Sequence, residues 1–258
     1  MTNTADTTTE EPNAQPAPRR KRSTSAPRKP GRKALIAIAE ELEHSEPQEI
    51  LAWALKTYGK KITLACSFGG ASGMALLDMV MKLDPGVPIF YLDTNFLFPE
   101  TYALAEKAAE KYRFTPIAVR PALTPEQQAA EYGDELWARD PDRCCELRKV
   151  IPQREALAGY NAWITGLRRD QSSTRAATPA VQWDAKFGLA KISPLVNWTE
   201  RQVWQYLRAN KVPVNDLHAH GYPSIGCTYC TRPISEGEDL RAGRWSGFAK
   251  TECGLHTA

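Results

Sequence analysis

The residues with the most chemistry to offer are the six cysteines, at positions 66, 144, 145, 227, 230 and 253. Cys227 and Cys230 form a C-x-x-C pair, a spacing that lets two thiolates converge on one metal centre from a turn. Cys144 and Cys145 are adjacent, and on a helix they diverge by about 100°, so both reach a large cluster more readily than one small ion. Four thiolates from two distant segments suit zinc or a [4Fe–4S] cluster. The adjacent pair favours iron–sulfur, and buried thiols without a ligand are the plain alternative. Cys253 stands alone in TECGLHTA, with His256 close behind. It is either an inert cysteine at a chain end or a thiol meant to be reached. The thiolate is the reactive form, and neighbouring cations or a histidine raise its population. Cys66, inside the apolar run KITLACS, reads as a small buried hydrophobe.

Three more segments offer anion recognition. SFGGASG, residues 67–73, has the composition of a tight turn whose backbone N–H groups face an anion. Ser67 opens it, and Gly69 and Gly70 lack the Cβ that would hold a phosphate or sulfate away. It is neither a Walker loop nor a G-x-G-x-x-G fingerprint, and a turn without a ligand is the alternative. TGLRRDQSSTR, residues 165–175, gathers Arg168, Arg169 and Arg175 with Ser172, Ser173 and Thr174 around a single acid, Asp170. Guanidinium groups hold phosphate or sulfate bidentately; a solvated charged loop is the alternative. RAGRW adds Arg241 and Arg244 shortly before Cys253. Lys149 stands four residues beyond Cys145, on the same face of a helix.

The elements that must position these residues alternate in type. KITLACS (61–67), PIFYLD (88–93), TPIAVRP (115–121), AWITGLR (162–168) and LAKISPL (189–195) read as strands. ALIAIAEELEH, PQEILAWALKTYG, ASGMALLDMVMKL, PETYALAEKAAEKY, TPEQQAAEYG and TERQVWQYLRAN read as helices. Pro99 at a first helical position, and Thr124–Gln127 and Thr199–Gln202 in capping-box spacing, mark three of their starts. The alternation predicts an α/β fold: an open, mostly parallel sheet with helices on both faces, binding its ligand beyond the carboxyl ends of the strands. After Val212 the alternation stops. The loop-rich C-terminal region with Cys227 and Cys230 is expected to fold around something other than a large core.

At 258 residues the chain is long enough for one sizeable domain with appendages. No apolar run approaches the roughly 20 residues of a membrane-spanning helix, and the polar start MTNTADTTTEEP lacks the layout of a secretory signal. A cytoplasmic location is the expectation, and in that reducing compartment clustered cysteines are metal ligands or catalytic thiols more often than disulfides. The net charge is +3, but residues 1–33 hold eight Lys and Arg against three acids, which leaves −2 on the rest. This Pro-, Ser-, Thr- and Arg-rich tail, 1–33, is expected to be disordered. It has no aromatic residues interleaved with its charge, so nucleic-acid binding is not expected. The folded domain is expected over 34–258.

With SFGGASG, LDTNFLFPET, CCELRK, TGLRRDQSSTR, YPSIGCTYCTRP, RAGRW and ECGLH in that order, the chain resembles the assimilatory adenylylsulfate (APS) and phosphoadenylylsulfate (PAPS) reductases. The resemblance runs from about residue 60 to the end. It implies a Rossmann-like, adenine nucleotide α-hydrolase-like fold whose first loop cradles the nucleotide. It further implies the iron–sulfur, APS-preferring branch, with Cys144, Cys145, Cys227 and Cys230 binding a [4Fe–4S] cluster and Cys253 as the nucleophile on a mobile C-terminal segment, 246–258. The implied reaction is reduction of adenylylsulfate to sulfite and AMP through an S-sulfocysteine, in assimilatory sulfate reduction, with thioredoxin or glutaredoxin as electron donor. Ser67, Gly69, Gly70, Lys149, Arg168, Arg169, Arg175, Arg241, Arg244 and His256 would then bind the substrate. Many relatives carry an acidic pair where this chain has Ser72 and Gly73.

Three rivals stand beside that reading. One is PAPS reduction by the same mechanism. The second is an ATP-dependent tRNA-thiolating enzyme, whose loop normally carries an aspartate that SFGGASG lacks. The third is a zinc-stabilised binding protein using the basic tail, which leaves ECGLH unexplained. Formation of a homo-oligomer is left open.

Overall fold

The computed structural model describes residues 1–2 and 29–256. Residues 3–28 of the expected tail lie outside the described residues. Regular structure begins with α1 (Arg32–Glu41), two residues ahead of the expected boundary. There follow α2 (Pro47–Tyr58), β1 (Ile62–Ala65), α3 (Ala71–Leu83), β2 (Ile89–Leu92), α4 (Pro99–Tyr112), β3 (Ile117–Val119) and α5 (Pro125–Tyr132). A helical stretch continues through α6 (Leu136–Arg139), α7 (Pro141–Cys145), a π turn (Glu146–Val150) and α8 (Ile151–Leu157). β4 (Ala162–Ile164), β5 (Val181–Asp184), β6 (Leu189–Ile192) and α9 (Glu200–Ala209) complete the regular elements.

The six strands form one sheet in the order β3-β2-β1-β4-β6-β5. All neighbours are parallel except β5 and β6, which pair antiparallel with Val181 opposite Ile192. The alternation of side chains along each strand divides the core in two. Ile62, Leu64, Ile89, Ala162, Ile164, Ala190 and Ile192 join the larger cluster, with residues of α1, α2, α3, α4 and α9. Phe90, Trp163 and Leu189 point the other way and meet Leu157 of α8. Helices on both faces of a mostly parallel sheet are what the strand–helix alternation predicts.

The local signals act as their chemistry requires. Pro99 is the first residue of α4. Thr124 caps α5 by accepting from the Gln127 N–H, and Thr199 caps α9 by accepting from the Gln202 N–H. The strand without a counterpart in the sequence reading is β5, an edge strand joined to β6 by a tight turn with Gly188 at φ +74°. An antiparallel neighbour needs no crossover helix, so it breaks the alternation by which the others are recognised. Beyond Val212 the described residues hold only short 3-10 turns, Asp216–His220 and Thr228–Cys230, and isolated bridges from Leu97 to Cys227 and from Thr231 to Arg244. No described helix is long and apolar enough to cross a membrane.

Candidate active site

From β1 the chain moves outward through β2 and β3, then crosses to β4 and β6 on the other side. β1 and β4 therefore bracket the point where the winding reverses, the place at which open α/β sheets leave a crevice. A cavity of about 280 Å3 opens there, walled by the β1–α3 loop, the segment after β4, the π turn and the chain end.

The β1–α3 loop is shaped by Phe68, which adopts a left-handed φ of +52°. That conformation is strained for a residue with a Cβ. It is held by full burial of the ring, an edge contact with Tyr91 at 5.5 Å, and a hydrogen bond from Asn215 Nδ2 to the Phe68 carbonyl at 3.2 Å. Ser67, Gly69 and Gly70 line the cavity. Gly70 is the N-cap of α3, which no side chain caps, so the positive end of that helix dipole is left to the cavity. The Ser72 hydroxyl, in the first turn, is buried and accepts a hydrogen bond from Arg168 Nη1. Arg168 also donates from Nε to Asp170 at 2.8 Å. The loop thus offers Arg168 a neutral acceptor, while Asp170 supplies the carboxylate.

The expected substrate-binding cations divide. Lys149, Arg168, Arg175, Arg241 and Arg244 line the cavity. Arg169 does not. It turns outward to Glu43, with bonds of 2.5 and 2.9 Å, and to the Thr178 carbonyl and Asn197. Arg168 is extended (φ −134°, ψ 150°) and Arg169 opens the 3-10 turn that follows, so the two side chains leave the backbone in different directions. Burial alone would lower the Lys149 pKa, but the thiolates of Cys227, Cys145 and Cys253 outweigh it and raise the ammonium above its ordinary value. Arg244 lies over the Trp245 ring at 4.4 Å and donates to Ser224 Oγ at 3.3 Å. Gly226 leaves room for it, because a Cβ there would sit 2.6 Å from the guanidinium carbon and push the Arg244 side chain aside.

The chain end enters the same cavity. Cys253 packs against Cys145, Cys230 and Trp245. Arg175 grips Glu252 through two bonds of 2.8 and 2.7 Å. Lys186 Nζ donates to the Gly254 carbonyl at 2.6 Å. The His256 ring lies parallel to that of Trp163, centroids 5.7 Å apart. Burial, and then the charges of Lys191, Arg175 and Arg241, push His256 well below the usual histidine pKa, so it is neutral. Residues 257–258 lie outside the described residues.

Cys144, Cys145, Cys227 and Cys230 are all buried and unpaired as disulfides. Burial and then the neighbouring thiols push Cys144 up to about 12 and Cys230 to about 11. Cys66 is buried in the larger core, as its apolar run implies, and is pushed to about 12 by burial. Among the described residues no set of three or more His, Cys, Asp and Glu side chains is placed to hold a single metal ion. The surroundings of the four thiols nonetheless fit a larger anionic sulfur group. Arg148 is 1% exposed beside Cys144 and Cys227, with Nη1 donating to the Thr94 carbonyl at 2.9 Å and Nε and Nη2 unpartnered. Trp245 Nε1, beside Cys145 and Cys230, is buried without a partner as well. Thr94 Oγ1 lies 3.3 Å from Cys227 Sγ.

Glu252, Gln153 and Trp163 line the cavity and were given no site role in the sequence reading. Glu252 is visible there only as an acid next to Cys253. Gln153 is one helical turn beyond Lys149, 2% exposed, with its Nε2 unpartnered in the cavity wall. Trp163 supplies the platform for His256.

Comparison with known proteins agrees with this architecture. Residues 61–233 match the phosphoadenosine phosphosulfate reductase domain family. The chain is 52% identical over 220 residues to a protein of Halalkalibacterium halodurans named adenosine 5'-phosphosulfate reductase, covering 85% of this chain and 95% of that one. It is 47% identical over 222 residues to Bacillus subtilis adenosine 5'-phosphosulfate reductase 1, covering 86% and 95%. Among solved structures, phosphoadenylyl-sulfate (PAPS) reductase from Candida auris, in a phosphate complex, superimposes with a TM-score of 0.69 at 34% identity, over 79% of this chain and 98% of that one. Candida glabrata FMN adenylyltransferase shares the fold alone, with a TM-score of 0.54 at 15% identity over 79% and 68%.

Proposed function

The chain belongs to the phosphoadenosine phosphosulfate reductase family, and from that premise we propose that it reduces adenylylsulfate to sulfite and AMP with electrons from a thioredoxin- or glutaredoxin-type dithiol. The observation that carries this reading is the entry of the chain end into the cavity, where Cys253 joins Lys149, Arg241 and Arg244 in the lining. The names of the bacterial relatives support adenylylsulfate as the substrate.

The nucleotide's anionic groups would meet the N-terminus of α3 and the backbone of Gly69 and Gly70, with its sulfate towards Lys149 and Arg244. Cys253 thiolate attacks the sulfate sulfur. The bond from that sulfur to the bridging oxygen breaks, and AMP departs with the electron pair, leaving an S-sulfocysteine. A thiolate of the external dithiol then attacks Cys253 Sγ, and sulfite leaves with the electrons of the S–S bond. The donor's second thiolate resolves the mixed disulfide, so the donor is oxidised by two electrons and Cys253 returns as thiolate. Attack of an anion on an anion demands concentrated positive charge, and removal of one such donor from a dry site costs about 100-fold or more in rate. Cys144, Cys145, Cys227 and Cys230 would hold a [4Fe–4S] cluster, with Arg148 and Trp245 donating towards it. When bound, the cluster supplies a compact charge that tunes the electrostatics of the site, and the balance above needs no electron from it. The proposal takes 34–258 as the reductase domain, with 246–258 able to leave the cavity, working in the reducing cytoplasm.

Cys253→Ser tests the reading: sulfite production is lost while the protein still binds AMP. Sulfite formation by that variant at the wild-type rate defeats it. PAPS reduction by the same chemistry is the second reading, favoured by the likeness to the Candida auris structure. Assay of both nucleotides on the same anaerobic preparation decides between them, the higher kcat/KM marking the substrate.

A further inference from the structure

A carboxylate inside an anion-binding cavity lowers the charge available to the substrate, so the position of Glu252 needs an account. Its two oxygens accept from Arg175 Nε at 2.8 Å and Nη2 at 2.7 Å, a bidentate fork. Arg241 Nη2 lies 3.4 Å from the same carboxylate and also donates to the Thr251 carbonyl at 2.8 Å. The Glu252 and Arg175 side chains are each 11% exposed. Burial raises the Glu252 pKa, but Arg175, Arg241 and Arg244 outweigh it and hold the group ionised. On the other side of Cys253, Gly254 is held by Lys186. The thiol thus sits between two anchored residues. Lys149 and Arg244, by contrast, bridge no carboxylate among the described residues.

We propose that Glu252 is a positioning residue: its bridge to Arg175 and Arg241 latches the chain end in the cavity and aims Cys253 at the substrate. The inference rests on the proposed role of Cys253. It divides the cations of the site by task. Arg175 and Arg241 hold the chain, while Lys149 and Arg244 stay available to the anion under attack. An ionic latch also suits a segment that must be held for the first half-reaction and released for the second. The ions that part regain hydration, whereas a well-packed apolar anchor would expose surface with no such return.

The test compares wild type, Glu252→Gln and Glu252→Asp by three measurements: steady-state kinetics, AMP binding by calorimetry, and alkylation of Cys253 by uncharged iodoacetamide, followed by mass spectrometry of the terminal peptide. Loss of the latch in Glu252→Gln raises the alkylation rate several-fold and lowers kcat by about 100-fold, the cost of a misplaced reacting group. KM and AMP affinity stay as in wild type, and Glu252→Asp recovers part of kcat. Unchanged alkylation overturns the proposal. So does tighter AMP binding or a lower KM in Glu252→Gln, the signature of a carboxylate that merely occupies the substrate's place. Alkylation and AMP affinity are read without turnover, so they judge the latch even where Cys253→Ser has defeated the nucleophile assignment.

Discussion

Neutral His256 against Trp163 is the residue whose state depends most plainly on pH. Its surroundings are Lys191, Arg175 and Arg241, all cationic, together with burial. A histidine with a depressed pKa binds fewer protons when docked than when free, so docking is intact above the free value of about 6.5 and weakens as the pH falls through it. An NMR titration of His256 in the nucleotide-free protein is therefore expected to give a pKa below 6.5, and a value at or above it would show that the ring is not held as described. The cysteines, Lys149 and the arginines near the site were legible in the sequence because charge and thiols declare themselves by type. Glu252 was not, since its meaning comes from Arg175, 77 residues away. Arg169 was misread for a related reason: residue type does not reveal side-chain direction on a 3-10 turn, and that direction takes it to Glu43.

Elements set those directions. The loop after β4 sends Arg168 and Arg175 to the cavity and Arg169 to the back, where it ties β4's loop to the segment after α1. Arg169→Gln is accordingly expected to cost at most about 1 kcal/mol of stability, the range of partly exposed ion pairs, with KM for the nucleotide unchanged. Urea melts and kinetics check it, and a KM rise of about tenfold would return Arg169 to the site. Five of six strands and the capped helices were readable from period and caps, which are local signals. The edge strand β5 was hidden because VQWD joins its neighbour by a turn rather than a helix. The π turn carrying Lys149 was hidden too, since a widened helical turn leaves no mark in apolar spacing.

At the scale of the molecule, the reversal between β1 and β4 gathers residues from Ala65 to His256 around one cavity, and two of the four buried thiols, Cys145 and Cys230, belong to the cluster against which Cys253 packs. Anaerobic protein is expected to contain about four iron and four sulfide per chain, as a [4Fe–4S] centre requires. One zinc and no sulfide would replace the cluster with a structural ion. That the ligand lies beyond the carboxyl ends of the strands was readable from strand–helix alternation, whereas the strand order that puts the crevice between β1 and β4 was not, and the return of the chain end was suggested only by resemblance. That return has an optical consequence. Trp163 is 1% exposed and meets His256 face to face. Each departure of the terminal segment would uncover its indole to water and move its fluorescence to longer wavelength. The difference between wild type and Trp163→Phe would isolate that colour change from the other tryptophans, giving an intrinsic gauge of when the thiol is home.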